Sequence, residues 1–331
     1  MKVVLRSAAA ACALLVAGWA GGATAQDVEY SCDKKFVFFP GGPQGGAFAS
    51  IVYNGARLAE EQTGCDVEYV WSDWNPEQMV RQFSQAIGRN PDGIAVMGHP
   101  GEDALGRLID KARDQGIVVT TQNVALPKSE AEYKTQGFGY VGAHNYSAGQ
   151  NLGSGILDKC NVQEGDVALV WGLLGQEARG QRTKGVIDAL EEAGVKIEYL
   201  EISDSVNRDP AQGIPTFASF LASNPKISIV VTDHGALTAT LPSYLKAADR
   251  SGENTCAAGF DLSAATVQGL QDGKIDLVLD QQPFLQGYLP IHQLYLTTKF
   301  GFAGMNIDTG AALITQQNVD AVADLAEAAI R

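Results

Sequence analysis

The chain has 331 residues, 45% of them hydrophobic, and its 24 Lys and Arg against 38 Asp and Glu leave a formal net charge of −14. A surface this acidic argues against nucleic acid or an anionic membrane as partner, since like charge repels. The length and apolar content suit about two domains, each with its own core.

The chain opens with Lys2 and Arg6, the apolar run "AAAACALLVAGWA", and then "ATA" before Gln26. That layout predicts a secretory signal over 1–25, cleaved after Ala25. The run is too short for a membrane span, and nothing later resembles one. Cys12 lies inside it with the wrong flanks for lipoprotein processing, so no lipid anchor is expected.

From there a strand and helix rhythm sets in. "KFVFFP" precedes a helical pattern at "AFASIVYNGARLAEEQTG"; "DVEYVW" precedes "PEQMVRQFSQAIGRN"; "GIAVMG" precedes "EDALGRLIDKARDQG"; and "IVVTTQ" follows. The rhythm restarts with "SAGQNLGSGILDK", "DVALVWG", "QRTKGVIDALEEAG", "KIEYLEI", "PTFASFLASN", "ISIVVTD", "LTATLPSYLKAADRSG", "AAGFD", "SAATVQGLQDG" and "IDLVLD". Short apolar runs alternating with amphipathic helices predict parallel sheets covered on both faces. Two such series predict an α/β protein of two doubly wound lobes.

Four cysteines follow the signal: Cys32, Cys65, Cys160 and Cys256. An even number in an exported chain suggests disulfides, with three pairings possible. Cys32 and Cys65 each stand just before a predicted strand, so neighbouring parallel strands would bring them together. Cys160 and Cys256 similarly precede strands, which favours pairing 32 with 65 and 160 with 256.

In doubly wound sheets ligands meet the loops at the carboxyl ends of the strands. Here those loops read "GGPQGGAF", "SDWN", "GHPGED", "QNVAL", "GAHN", "GLLGQEARGQR", "TDHG", "GFDLS" and "DQQPF". They are polar and aromatic with very little lysine, which suits a neutral, hydroxyl-rich ligand. His99 and His144 fall on such loops and could donate to a hydroxyl, though a plain cleft-wall role suits His144 better; His292 falls in a helix. The histidine spacing suggests no metal site. There is no GxSxG, P-loop or HExxH pattern, and "GGPQGG" lacks the lysine and hydroxyl residue of a phosphate cradle. Neither cofactor nor enzymatic activity is expected.

The aromatic in "GAFASIVYNGA", then "SDWNPEQMVRQF", "ARGQRTKGV", "AAGFD" and "DQQPFLQGYLP", in this order and spacing, make most of the chain resemble the type I periplasmic sugar-binding proteins of ABC transporters. These form the ribose-binding and galactose-binding group, related to the sensor cores of LacI-type repressors. The resemblance implies a periplasmic monomer that delivers a small neutral sugar or polyol to an ABC permease in the inner membrane. A receptor for chemotaxis or a sensor kinase would use the same binding chemistry. A repressor is disfavoured by the signal layout and by the lack of a helix-turn-helix segment before residue 34, and a carboxylate-pair glycosidase by the arginine counter-charge.

The family's chain crosses between lobes three times. The crossings here would fall near Gly142, near Gln282 and Pro283, and near Asp308 to Gly310. One lobe would hold 26–142 plus 283–308, the other 143–282 plus 309–331.

By the same resemblance Phe48 stacks on the apolar face of a sugar ring. Trp71 or Trp74 would cap the other face while its neighbour packs on the sheet; the sequence leaves open which. Arg182 would bridge ring oxygen and hydroxyls with its donor fork, and Asp261 would accept from vicinal hydroxyls; a structural ion pair between them is the alternative. Asn123 stands where the family commonly has aspartate, followed here by Val124, a departure that weakens a reading as ribose. Asp233 or Thr232 would be a further contact, and Gln281 would face the ligand beside a crossing fixed by Pro283.

Overall fold

A computed structural model describes residues 30–251 and 254–331, so the expected signal segment lies outside the described residues. The first series runs β1 (Lys35–Phe38), α1 (Ala47–Thr63), β2 (Asp66–Tyr69), α2 (Pro76–Gly88), β3 (Gly93–Met97), α3 (Glu102–Asp114), β4 (Val118–Gln122), α4 (Pro127–Tyr133) and β5 (Tyr140–Gly142). The second runs α5 (Asn145–Lys159), β6 (Val167–Gly172), α6 (Gln181–Glu192), β7 (Lys196–Glu201), α7 (Asp204–Arg208), α8 (Ile214–Ser223), β8 (Ile227–Thr232), α9 (Gly235–Ala247), β9 (Cys256–Phe260), α10 (Ala264–Gln271) and β10 (Leu277–Asp280). The chain then returns through α11 (Pro283–Phe300) and β11 (Asn306–Asp308) and ends in β12 (Ala312–Thr315) and α12 (Ala323–Glu327).

Two six-stranded sheets result, ordered β11-β5-β4-β3-β1-β2 and β12-β10-β9-β8-β6-β7. The chain therefore passes between sheets three times: after β5, between β10 and α11, and between β11 and β12. β3 is buried along its whole length, which is why it reads as an unbroken apolar run rather than an alternating one; β4 is equally buried, its Thr120, Thr121 and Gln122 side chains donating to the Gly139 and Phe39 carbonyls. Each fully buried Val, Leu, Ile or Phe in these layers contributes roughly 1.5–3 kcal/mol.

β11 and β12, at one edge of each sheet, escaped the sequence pattern because three or four residues carry too little of it. Among the described strands β12 is the exception to the parallel order, pairing with β10 antiparallel. It can do so because it follows β11 of the other sheet by a short link rather than a crossover helix.

In each half one helix pair packs unusually close. A Cβ at Gly55 of α1 would run into the Phe284 carbonyl oxygen of α11, and one at Gly287 into that of Val52. In the other half Gly149 of α5 would clash with the Arg182 carbonyl oxygen, and Gly185 of α6 with that of Tyr146. Only glycine permits these approaches.

Both expected disulfides form, Cys32 to Cys65 and Cys160 to Cys256. The first joins chain next to the neighbouring strands β1 and β2. The second has a different basis from the one expected, because β8 lies between β6 and β9. Cys160 ends α5, and it is the helix end, not an adjacent strand, that reaches Cys256.

Candidate ligand-binding site

The loops at the carboxyl ends of the first sheet present rings. Phe48, in the first turn of α1, lies 5.7 Å from the Trp74 ring, and Trp74 lies 5.3 Å from His99. Trp74 reaches this place through a left-handed backbone, φ 56°, with its amide donating to the Gly41 carbonyl at 3.0 Å. Its indole leaves no room for a Cβ at Gly41 or Gly42. Trp71 faces elsewhere: its ring lies 5.5 Å from Tyr53 of α1. The structure thus separates the two tryptophans that the sequence could not.

The matching loops of the second sheet present charge. Arg182, 1% exposed, sits in the first turn of α6 with its guanidinium over the Phe260 ring, 5.0 Å from the centroid. Its Nε donates to Asn145 Oδ1 at 2.9 Å, one Nη to the Asp233 carbonyl oxygen at 3.4 Å and the other to Gln281 Oε1 at 3.3 Å. Three of five N–H donors are so engaged, which leaves two. Burial pulls its pKa down to about 10, still fully charged at neutral pH. The alternative of an Arg182 and Asp261 ion pair is not what forms; the pair at these strand ends is Arg179 with Asp233, 3.7 Å apart.

Asp261, 4% exposed, also adopts a left-handed backbone, φ 70°. Its Oδ2 accepts from the Gly235 amide at the start of α9, at 3.1 Å. Burial pushes its pKa up to about 6, against the pull of the Arg182 charge. Thr232, the alternative to Asp233, is tied to Thr238 at 3.0 Å within its own half. Asp233 is 2% exposed and receives the Thr183 hydroxyl at 3.4 Å.

Asn123 and Gln281 join the halves. The Asn123 side chain donates to Gln281 Oε1 at 3.3 Å and to Gln286 Oε1 at 3.0 Å. Gln281 Oε1 thereby serves protein donors from both sides. Its oxygen thus bridges Arg182 and Asn123, an engagement that the resemblance did not imply. Gln286 in turn donates to Thr309 Oγ1 at 3.1 Å, so this buried network touches two of the three passages. Asn123 too has a left-handed backbone, φ 63°. Asn and Asp tolerate that region and Trp rarely does. Such conformations cluster where function requires them.

The structure brings together all eight expected residues, Phe48, Trp74, His99, Asn123, Arg182, Asp233, Asp261 and Gln281, and adds Arg179, His234, Asn145 and Gln286. Arg179 and His234 lay in the strand-end loops already singled out, so position could have found them. Asn145 lay there too, as the last residue of "GAHN", whereas Gln286 stands inside α11, outside those loops. His144 is drawn aside, its Nε2 2.7 Å from Asn306 Oδ1 and its amide donating to Asp308 Oδ1 at 3.1 Å. His292 packs against Tyr288 on α11.

Among the described residues, twelve buried side-chain nitrogen or oxygen atoms lack a hydrogen-bond partner, and six belong to this cluster: both ring nitrogens of His99, Arg179 Nε, Asp233 Oδ1, His234 Nε2 and Asp261 Oδ1. Burial, reinforced by the Arg179 and Arg182 charges, holds the His99 pKa well below its usual range. Burial likewise takes His234 down to about 4. Both imidazoles are therefore neutral, each with one donor and one acceptor. Two arginines and two aspartates leave no net charge. The unpaired groups of this cluster include both donors and acceptors. A separate depression of about 460 Å³, lined by Lys34, Asp92, Arg113 and Phe302 among others, lies at the amino ends of the first sheet, away from these groups.

Residues 36–300 match the model of the periplasmic binding protein domain. The xylose/arabinose-binding protein XylF of Sulfolobus acidocaldarius is 30% identical over 275 residues, 77% of this chain and 65% of that one. The D-ribose/D-allose-binding protein of Pseudomonas aeruginosa is 26% identical over 202 residues, 61% of each. The chain thus spans just under two thirds of the length of these relatives. Among solved structures, a carbohydrate transporter from Acidothermus cellulolyticus in complex with myo-inositol superposes with a TM-score of 0.77 at 22% identity, covering 90% of this chain and 99% of that one.

Proposed function

The chain belongs to the periplasmic binding protein domain family, and from that premise we propose that it captures a neutral monosaccharide or sugar alcohol between its two halves and delivers it to an ABC permease. Unpaired donors and acceptors, buried on both halves in a site of balanced charge, carry this reading. Leaving each such atom without a partner costs about 1–3 kcal/mol; vicinal hydroxyls, which donate and accept at once, would offset that cost. Phe48 and Trp74 would meet the C–H face of the ring, Arg182 and Asp261 its hydroxyls. The relatives named for xylose, arabinose, ribose and allose support a sugar of this size.

The reading places the protein in the periplasm as a monomer; among the described residues no helix is long and apolar enough to cross a membrane. Residues 26–142 with 283–308 and 143–282 with 309–331 would move as two rigid lobes about the three passages. A thermal-shift panel of D-xylose, L-arabinose, D-ribose, D-allose and myo-inositol tests the ligand class, since a ligand bound by the folded state raises the melting temperature by mass action. Calorimetry would then give the affinity, and scattering a smaller radius of gyration on binding. A panel with no shift and no heat would overturn the reading.

A further inference from the structure

β10 ends on Asp280, which is 0% exposed, and the next residue is Gln281 of the candidate site. A buried carboxylate without partners is strongly disfavoured. Here Oδ1 accepts from the Gln282 amide at 2.8 Å, and Oδ2 receives both Nε and an Nη of Arg331, at 2.8 and 2.6 Å. Gln282 has a left-handed backbone, φ 53°, and leads directly into α11. The carboxylate therefore pins the most constrained residue of the second passage.

The segment that carries Arg331 also touches the opposite half. Its helix, α12, packs on α10 of the second half, yet the Ala329 carbonyl accepts from the Asn54 side chain of α1, in the first half, at 3.2 Å. The side chain of Gln282 adds a link between passages by donating to the Thr309 carbonyl at 2.9 Å.

We infer that Arg331 is a positioning residue for the ligand site, holding the β10 to α11 passage through Asp280 so that Gln281 stays between Arg182 and Asn123. The inference rests on the binding role proposed above. The line of contact runs from the Arg331 guanidinium to Asp280, to the Gln282 amide, and through the chain to Gln281 Oε1, which receives Arg182 and Asn123. Arg331 acts through these groups and touches no ligand. Asp261 supplies an independent readout. It faces the Arg182 charge and the Gln281 amide, which favour its ionisation, the Asp280 charge, which opposes it, the Arg179 charge, which favours it, and the Gly235 amide. Without Arg331 the Asp280 charge stands unbalanced, and Asp261 becomes harder to ionise.

The test compares wild type with Arg331→Ala and Arg331→Lys, using from the panel named above the sugar that gives the largest shift in wild type. Arg331→Ala should bind about tenfold more weakly, Arg331→Lys should recover most of that, and the midpoint of affinity against pH should move upward in Arg331→Ala. In ligand-free protein, deuterium uptake over 280–286 should rise in Arg331→Ala and return toward wild type in Arg331→Lys. A wild type that binds none of the sugars sinks the proposed function, while the ligand-free uptake still tests the passage. Affinity within about twofold of wild type, or a lower melting temperature with unchanged uptake over 280–286, would show a stabilising role only and overturn the inference.

Discussion

The two halves of the molecule share a scaffold and divide the chemistry. Each is a six-stranded sheet with one helix pair pressed together through facing glycines, Gly55 with Gly287 and Gly149 with Gly185. The first half brings rings to its strand ends, Phe48, Trp74 and His99; the second brings Arg179, Arg182, Asp233 and Asp261. A close helix contact is a demand of packing, met alike on both sides. Side chains at the strand ends and in the first turns of the following helices are free of that demand, so one half supplies shape and the other charge. Asn123 and Gln281, 3.3 Å apart, are where the two meet.

The widest break in that comparison should come from the charged half. Arg182→Ala removes the donor fork and leaves Asp233 and Asp261 less balanced, and Asp261→Ala removes the acceptor. Unpaired buried groups cost about 1–3 kcal/mol, more when charged, so calorimetry should show binding weakened roughly tenfold to several hundredfold. Binding within about twofold of wild type for both would place the site elsewhere.

Acid should act on the same half more gently. In the proposed site the ligand takes the Asp261 carboxylate, whose pKa is pushed up to about 6 by burial, so affinity should fall as pH drops through 6, approaching tenfold per unit below it. Ligand-free stability moves the other way. The folded value lies above the unfolded 3.8, so between those values the folded state binds the extra proton, and this contribution is present at low pH and lost as pH rises through about 6. Asp261→Asn should flatten both trends. Melting curves and titrations from pH 4.5 to 7.5 that match in wild type and Asp261→Asn would rule out this role for Asp261.

On the aromatic half the losses should be smaller. Phe48→Ala gives up stacking of about 0.5–1.5 kcal/mol beyond its area, a severalfold loss, with the ranking of epimers unchanged because the hydrogen-bonding groups remain. A reordered sugar ranking would show that Phe48 selects as well as holds. Smallest of all is Trp71→Phe, since that ring packs on Tyr53: affinity should stay within about twofold, while Trp74→Phe lowers it further. The reverse order would exchange the roles of the two tryptophans.

From sequence alone the alternation of buried strand and amphipathic helix determined the α/β class and its two series, because that periodicity is a local property of consecutive residues. The strand-end rule then marked the loops, His99 among them, and the resemblance chose within or beside them Phe48, one of Trp71 and Trp74, Asn123, Arg182, Asp233 or Thr232, Asp261 and Gln281. Tertiary structure alone decided which tryptophan joins Phe48, that Gln281 spends its oxygen on Arg182 and Asn123, and that β12 runs antiparallel. It also decided that Cys160 reaches Cys256 from the end of α5 rather than from a neighbouring strand. Each of these depends on which hydrogen bonds and contacts are met by residues far away in the chain: Asn145 holds Arg182 from 37 residues away and Gln286 receives Asn123 from 163. Periodicity is written along a chain; satisfaction of a buried polar atom is settled only when the folded neighbours are in place.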